Sequence, residues 1–179
     1  MKATFASICP LLVKSFKKMK KLLLLLSVIY SLHTGAQVSK VSLQASGLTC
    51  SMCSKSIYNS LKTIAFVENI EPNIKTSTFE ITFKQNSQVD FNKIKNKVED
   101  AGYAVAKFVV SINCKNVAVK TNEIVTIGNL KFQFVNTRDQ SLNGETKLKI
   151  VNKGFVPTKE YQKNSFASKT GQDVYQVIM

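Results

Sequence analysis

The chain has few of the residues that enzymes and zinc-binding folds draw on. Its 179 residues hold no tryptophan, three prolines and one histidine, His33. Beyond residue 36 there is no imidazole. That excludes a Ser-His-Asp triad, a Cys-His pair and a mixed Cys/His zinc finger from that part of the chain. Arginine is nearly missing: Arg138 stands alone among 25 basic residues. No basic run is interleaved with aromatics, so nucleic acid is not an expected partner. Carboxylates such as Asp139, Glu145, Glu160 and Asp173 are scattered, without the paired spacing of general acid–base chemistry. No catalytic constellation is visible, and the chain is not expected to be an enzyme. The four cysteines, Cys9, Cys50, Cys53 and Cys114, do not have the number or spacing of a disulfide-stapled scaffold.

What is present begins with charge and a leader. The formal net charge is +14 and the apolar content is 44%, which suits a globular protein. Residues 1–36 hold six lysines and no acid. Taking those from 25 basic residues leaves 19 against 11 acidic ones, a net of +8. Such an excess makes a solvated basic surface, or one that docks to an acidic partner or anionic lipid. Met19-Lys20-Lys21 precedes a mostly apolar run from Leu22 to Leu32, then His33-Thr34-Gly35-Ala36. A charged start, a short apolar stretch and small residues at the end describe a signal peptide. The run is shorter than the roughly 20 residues that cross a bilayer. Residues 1–36 are therefore read as a leader, with translation expected to start at Met19 and cleavage after Ala36. That places the mature chain in the periplasm or outside the cell, with no membrane span of its own. No cysteine follows the small residues, which argues against a lipoprotein anchor.

Residues 37–111 read as one α+β domain. Val41, Leu43 and Ala45 alternate with polar residues, as in a strand with one buried face. Gly47 frees the backbone for a tight loop. From Ser51 the period changes: Cys53, Ile57, Leu61 and Ile64 recur at helical spacing. Phe66 to Ile70 suggests a second strand closed by Glu71-Pro72-Asn73. Phe79, Ile81 and Phe83 suggest a third. Asp90 can cap a helix carrying Phe91, Ile94, Val98 and Ala101, which Gly102 ends. Tyr103 to Val110 is the fourth strand. The order βαββαβ in so short a stretch is the ferredoxin-like sandwich. That fold hosts many functions, so the function must lie in a site.

The candidate site is the loop Gly47-Leu48-Thr49-Cys50-Ser51-Met52-Cys53. Cys50 lies in the strand-to-helix loop and Cys53 in the first helical turn, so both sulfurs can converge on one ion. Thiolates are soft ligands suited to Cu(I), Zn(II) or Hg(II). A helix N-terminus favours thiolate over thiol, and Lys55 adds positive charge. Structural zinc sites want four ligands. Two thiolates match an ion of low coordination, which favours Cu(I) and leaves an open side for handover. A C-x-x-C pair also serves thioredoxin-like redox enzymes or forms a plain disulfide in an oxidising compartment.

Residues 38–110 resemble a heavy-metal-associated domain, the module of copper chaperones, copper-transporting P-type ATPase tails and the periplasmic mercury-binding protein. The family's Gly-Met-Thr-Cys-x-x-Cys motif stands here as Gly47 to Cys53, and its Glu-Asp-Ala-Gly-Tyr stretch as Glu99-Asp100-Ala101-Gly102-Tyr103. The resemblance implies that Cys50 and Cys53 are the metal ligands and that Tyr103 sits beside the metal loop. Leu48 replaces the family's methionine, a core-facing side chain, so the change should cost little. Thr49 and Met52 complete the loop, with Met52 expected to face solvent. Cys114 is expected as a half-buried linker thiol, carried away from the loop by the fourth strand.

Residues 112–179 read as a second, small all-β domain of unknown role. Short alternating runs occur at Val117–Lys120, Ile124–Ile127, Leu130–Val135, Thr146–Val151 and Val174–Ile178. Turn signals at Gly128-Asn129, Asn143-Gly144 and Lys153-Gly154 separate several of them. A five-stranded barrel of the OB type is the expected form. Phe155, Phe166 and Tyr175 are expected in its core, which so small a unit needs, rather than on a binding surface. The whole reads as an exported soft-metal-binding protein that carries or buffers Cu(I), with Hg(II) or Zn(II) as other ions. A metal-transport protein is its expected partner. The rival reading is a thiol-disulfide oxidoreductase using the same cysteines.

Overall fold

The structure is a computed structural model that describes residues 37–48, 50–164 and 173–179. The leader and its cleavage site, Thr49 and Phe166 lie outside the described residues. The described residues all fall within one compact unit.

The first six elements are β1 (Gln37–Ser46), α1 (Ser51–Lys62), β2 (Val67–Asn73), β3 (Thr78–Phe83), α2 (Phe91–Asp100) and β4 (Ala104–Val119). Their sheet order is β2-β3-β1-β4, with every pairing antiparallel, which is the ferredoxin-like arrangement. Alternation decides the faces. Val41, Leu43 and Ala45 of β1 are buried with Phe79, Ile81 and Phe83 of β3 and with Phe108, Val110 and Ile112 of β4. The apolar stripes of the helices, Ile57 and Leu61 of α1 and Phe91, Ile94 and Val98 of α2, join the same core. Asp90 caps α2, its carboxylate accepting from the backbone N–H groups of Asn92 and Lys93.

Strand β2 runs further than its sequence suggests. Glu71-Pro72-Asn73 does not close it; these residues pair with Glu80, Phe79 and Thr78. Proline is tolerated because β2 lies at the edge of the sheet, where one row of backbone N–H groups faces no neighbour.

The larger difference lies in β4. It does not stop at Val110, because the apolar alternation of Phe108, Val110, Ile112 and Cys114 carries on, and after a break at Lys115 and Asn116 the strand resumes to Val119. The 111/112 boundary therefore falls inside one strand. One edge of β4 pairs with β1, and the other pairs from Val109 to Val119 with β7 (Gln140–Ile150). Around β7 are β5 (Ile124–Ile127), β6 (Leu130–Phe134), a short helix α3 (Thr158–Asn164) and β8 (Val174–Ile178). The full order is β2-β3-β1-β4-β7-β8-β6-β5, an eight-stranded sheet. The expected OB-type barrel is not what the C-terminal strands make. They extend the first sheet, and among the described residues no pairing brings β5 back onto another strand.

Asn143-Gly144 lies inside β7 and faces a bulge in β4 rather than forming a turn. In that bulge β4 skips register between Cys114 and Val117, and Asn116 adopts positive φ. The Asn143 side-chain oxygen accepts from the Asn116 N–H at 2.7 Å, and Gly144 takes φ 75° without steric cost. Gly128-Asn129 behaves as expected, as the two-residue turn joining β5 to β6.

An aromatic cluster joins the C-terminal segment to the first helices and strands. Phe91 of α2 lies 5.2 Å from Phe108 of β4 and 5.0 Å from Tyr175 of β8, ring centre to ring centre. Phe155 closes the set at 5.1 Å from Phe108 and 5.8 Å from Tyr175. Phe155 and Tyr175 are thus core, as their number in a small unit demands. Burial pushes the Tyr175 hydroxyl up to about 12, with the Asp90 charge acting in the same direction. Since these rings come from both halves of the chain, Phe155→Ala should cost about 3–5 kcal/mol, the usual loss for a buried phenylalanine. Urea unfolding followed by tyrosine fluorescence and by circular dichroism should lose that stability in one shared transition.

Candidate metal centre

The loop after β1 starts at Gly47, whose φ of 80° turns the chain toward α1. Cys50 is the N-cap of α1, in extended conformation, and its sulfur accepts from the backbone N–H of Cys53 at 3.3 Å. Sulfur takes the position that Ser, Thr, Asp or Asn usually fills. The two sulfurs lie 2.7 Å apart, as thiols rather than a disulfide. Cys50 is exposed and Cys53 half-buried, so the pair sits at the surface with one side open. The first turn of α1 holds no acidic residue to oppose negative charge on sulfur.

Each neighbour can now be placed. Leu48 is partly buried against the core, so it packs rather than ligates. Met52 is 70% exposed, pointing its thioether to solvent. Tyr103 arrives from the start of β4, because the pairing of Ser46 with Ala104 sets it next to the loop. Its ring packs partly against the core. Its hydroxyl is held above the ordinary tyrosine value, first by a hydrogen bond to the Cys53 side chain, then by desolvation and by the Cys53 and Cys50 charges. Sequence reasoning reached these residues through the two motifs. What it could not supply was that Cys50 itself caps the helix.

Cys114 is not a linker thiol. It is 1% exposed within β4, opposite Gly144, and burial pushes its thiol up. Among the described residues, no three His, Cys, Asp or Glu side chains are grouped to hold a metal. The grouped sulfurs are those of Cys50 and Cys53, a pair whose chemistry suits a soft ion. Also among the described residues, no helix is long and apolar enough to cross a membrane.

Comparison with known proteins agrees with this geometry. Residues 42–104 match the heavy-metal-associated domain, and this stretch, which holds the cysteine pair, is such a domain. Over 64 residues, 36% of the chain, it is 38% identical to a probable copper-exporting P-type ATPase of Archaeoglobus fulgidus. The chain spans only 8% of that ATPase. Among solved structures, it is similar to the CopZ metallochaperone, at 25% identity and a TM-score of 0.36, over 38% of this chain and all of that one. It is also similar to the yeast copper transporter domain Ccc2a, at 27% identity and a TM-score of 0.34, over 37% of this chain and 90% of that one.

The hydrogen bond from Tyr103 to Cys53 has a spectroscopic signature. Both the bond and the nearby sulfur charges favour the protonated phenol, so Tyr103 should ionise above its usual pH. In a metal-free titration at 295 nm, Cys50→Ser/Cys53→Ser should shift one tyrosine back toward the ordinary range of about 10. The same replacement in a Tyr103→Phe background should leave the titration unmoved.

Proposed function

We propose that this protein is an exported carrier or buffer of Cu(I), bound between Cys50 and Cys53, and that it catalyses no reaction. The observation that carries the reading is the surface pair of thiol sulfurs, 2.7 Å apart at the start of α1, with no third ligand grouped with them among the described residues. Cu(I) is cargo in this account. Two thiolates satisfy a soft monovalent ion, and the exposed side admits an incoming thiolate from an acceptor. The copper-related names of the similar proteins favour Cu(I) over Hg(II) and Zn(II) and make a metal-transport protein the natural acceptor. Tyr103 orients Cys53 and screens one side of the pair.

The leader-like pattern of residues 1–36 supports export to the periplasm or outside the cell. In that compartment the same sulfurs can oxidise to each other, so metal loading competes with disulfide formation.

The test is a competition titration of the reduced chain with Cu(I), Zn(II) and Hg(II) against chelators. The chain should take one Cu(I) tightly, and Cys50→Ser or Cys53→Ser should each weaken it by at least about a hundredfold, the loss of one strong bond of two. Unchanged Cu(I) affinity in both variants would sink the assignment. Turnover in an insulin-reduction assay would favour the oxidoreductase instead. Recovery of a product still carrying residues 1–36 from the cytoplasm alone would refute export.

A further inference from the structure

The face of the sheet opposite α1 and α2 carries a shallow polar groove over β3, β1, β4 and β7. We propose that it docks an acidic, extended segment of the protein that receives the metal. The proposal rests on the handover reading above and names the surface that would hold the partner.

The register builds the groove. In one row Lys40 of β1, Ser111 of β4 and Lys147 of β7 are consecutive cross-strand partners. Two positions along each strand, Ser42 stands opposite Val109, and beyond them Gln44 stands opposite Lys107. Ser111 is only 4% exposed and lies on the floor. Lys107 and Lys147 are exposed, and among the described residues neither forms an ion pair. Other charges nearby are already matched: Lys40 faces Glu145 at 3.7 Å, and Lys149 pairs with Glu160 of α3. Glu80 is the one acid lining the groove, on the β3 side.

These features select the occupant. Two unmatched cations over hydroxyl and amide groups attract carboxylates and offer hydrogen bonds to a strand-like chain. Val109 is the sole apolar side chain in the lining, so an apolar helix or a membrane-inserting segment would have nothing to bury against. The recessed floor suits a narrow chain better than a flat bilayer. Position matters too. From Lys40, β1 runs about 20 Å to Ser46, just before the metal loop, at about 3.3 Å per residue. A partner segment in the groove would be held beside the thiol pair without covering it.

The probe is a fluorescein-labelled hexaglutamate peptide, followed by anisotropy at low salt with the chain from Gly35 onward. Binding should be saturable, weaken with salt, and survive in metal-free protein and in Cys50→Ser/Cys53→Ser. Lys107→Glu/Lys147→Glu should weaken it at least about tenfold, while Lys75→Glu/Lys120→Glu, an equal charge change elsewhere, should alter it less than about twofold. Glu80→Gln, which removes the opposing charge, should tighten it by about twofold. Equal losses in the two lysine pairs, no saturable binding, or binding only to anionic phosphatidylglycerol vesicles would overturn the proposal. Metal binding with no peptide binding would remove the docking surface alone. Peptide binding without metal binding would leave the surface standing and remove the carrier.

Discussion

The antiparallel pairing of β1 with β4 is the contact on which the metal loop and the C-terminal sheet both depend. At one end it matches Ser46 with Ala104, which delivers Tyr103 to the loop that follows β1. A register shift between Gln44 and Ala45 lets the strands meet there while Phe108 and Val110 still face the core. At the other end, β4 continues beyond β1 and offers its second edge to β7. In a shorter domain that edge would be unpaired, with a row of exposed N–H and C=O groups ready to pair with another chain. Here the same chain covers it, and the aromatic cluster of Phe91, Phe108, Phe155 and Tyr175 ties the covering strands to α2.

At the site the backbone and the ligands are not separate systems. Cys50 caps α1 through its sulfur and Cys53 supplies the N–H that the cap receives. Whatever binds or oxidises the pair therefore acts on the first turn of a helix. The N–H donor and the helix dipole both favour negative charge on sulfur, so the cap is compatible with ligation. Tyr103 adds a third contact from a strand fixed by the core. A pair of thiols gains precision from such supports, because Cys50 lies on a loop that would otherwise be loose.

Much of the first domain was legible in the sequence. Period two in β1 and β3, period 3.6 in α1 and α2, and Asp90 as a cap all describe local physics that the fold respects. The loop residues were legible for the same reason, since two thiols at a strand-to-helix junction have few uses. The C-terminal part was less so. The run through Ser111 to Cys114 looked like a linker because nothing local says which strand will cover an edge. Asn143-Gly144 carries the signature of a turn, yet Gly144 takes the same positive φ within a strand that faces a bulge. Helix α3 left only a weak mark, Pro157 ahead of it and Glu160 in its first turn. Pro72 misled in the other direction, because an edge strand tolerates it.

The central claim is that two sulfurs and nothing else hold the ion. X-ray absorption at the copper edge of the Cu(I)-loaded chain, prepared with reductant, measures that coordination directly. The account predicts a shell of two sulfur neighbours at one distance, lost when Cys50 and Cys53 are both replaced by serine. A shell of four ligands, or one that includes nitrogen or oxygen, would contradict it.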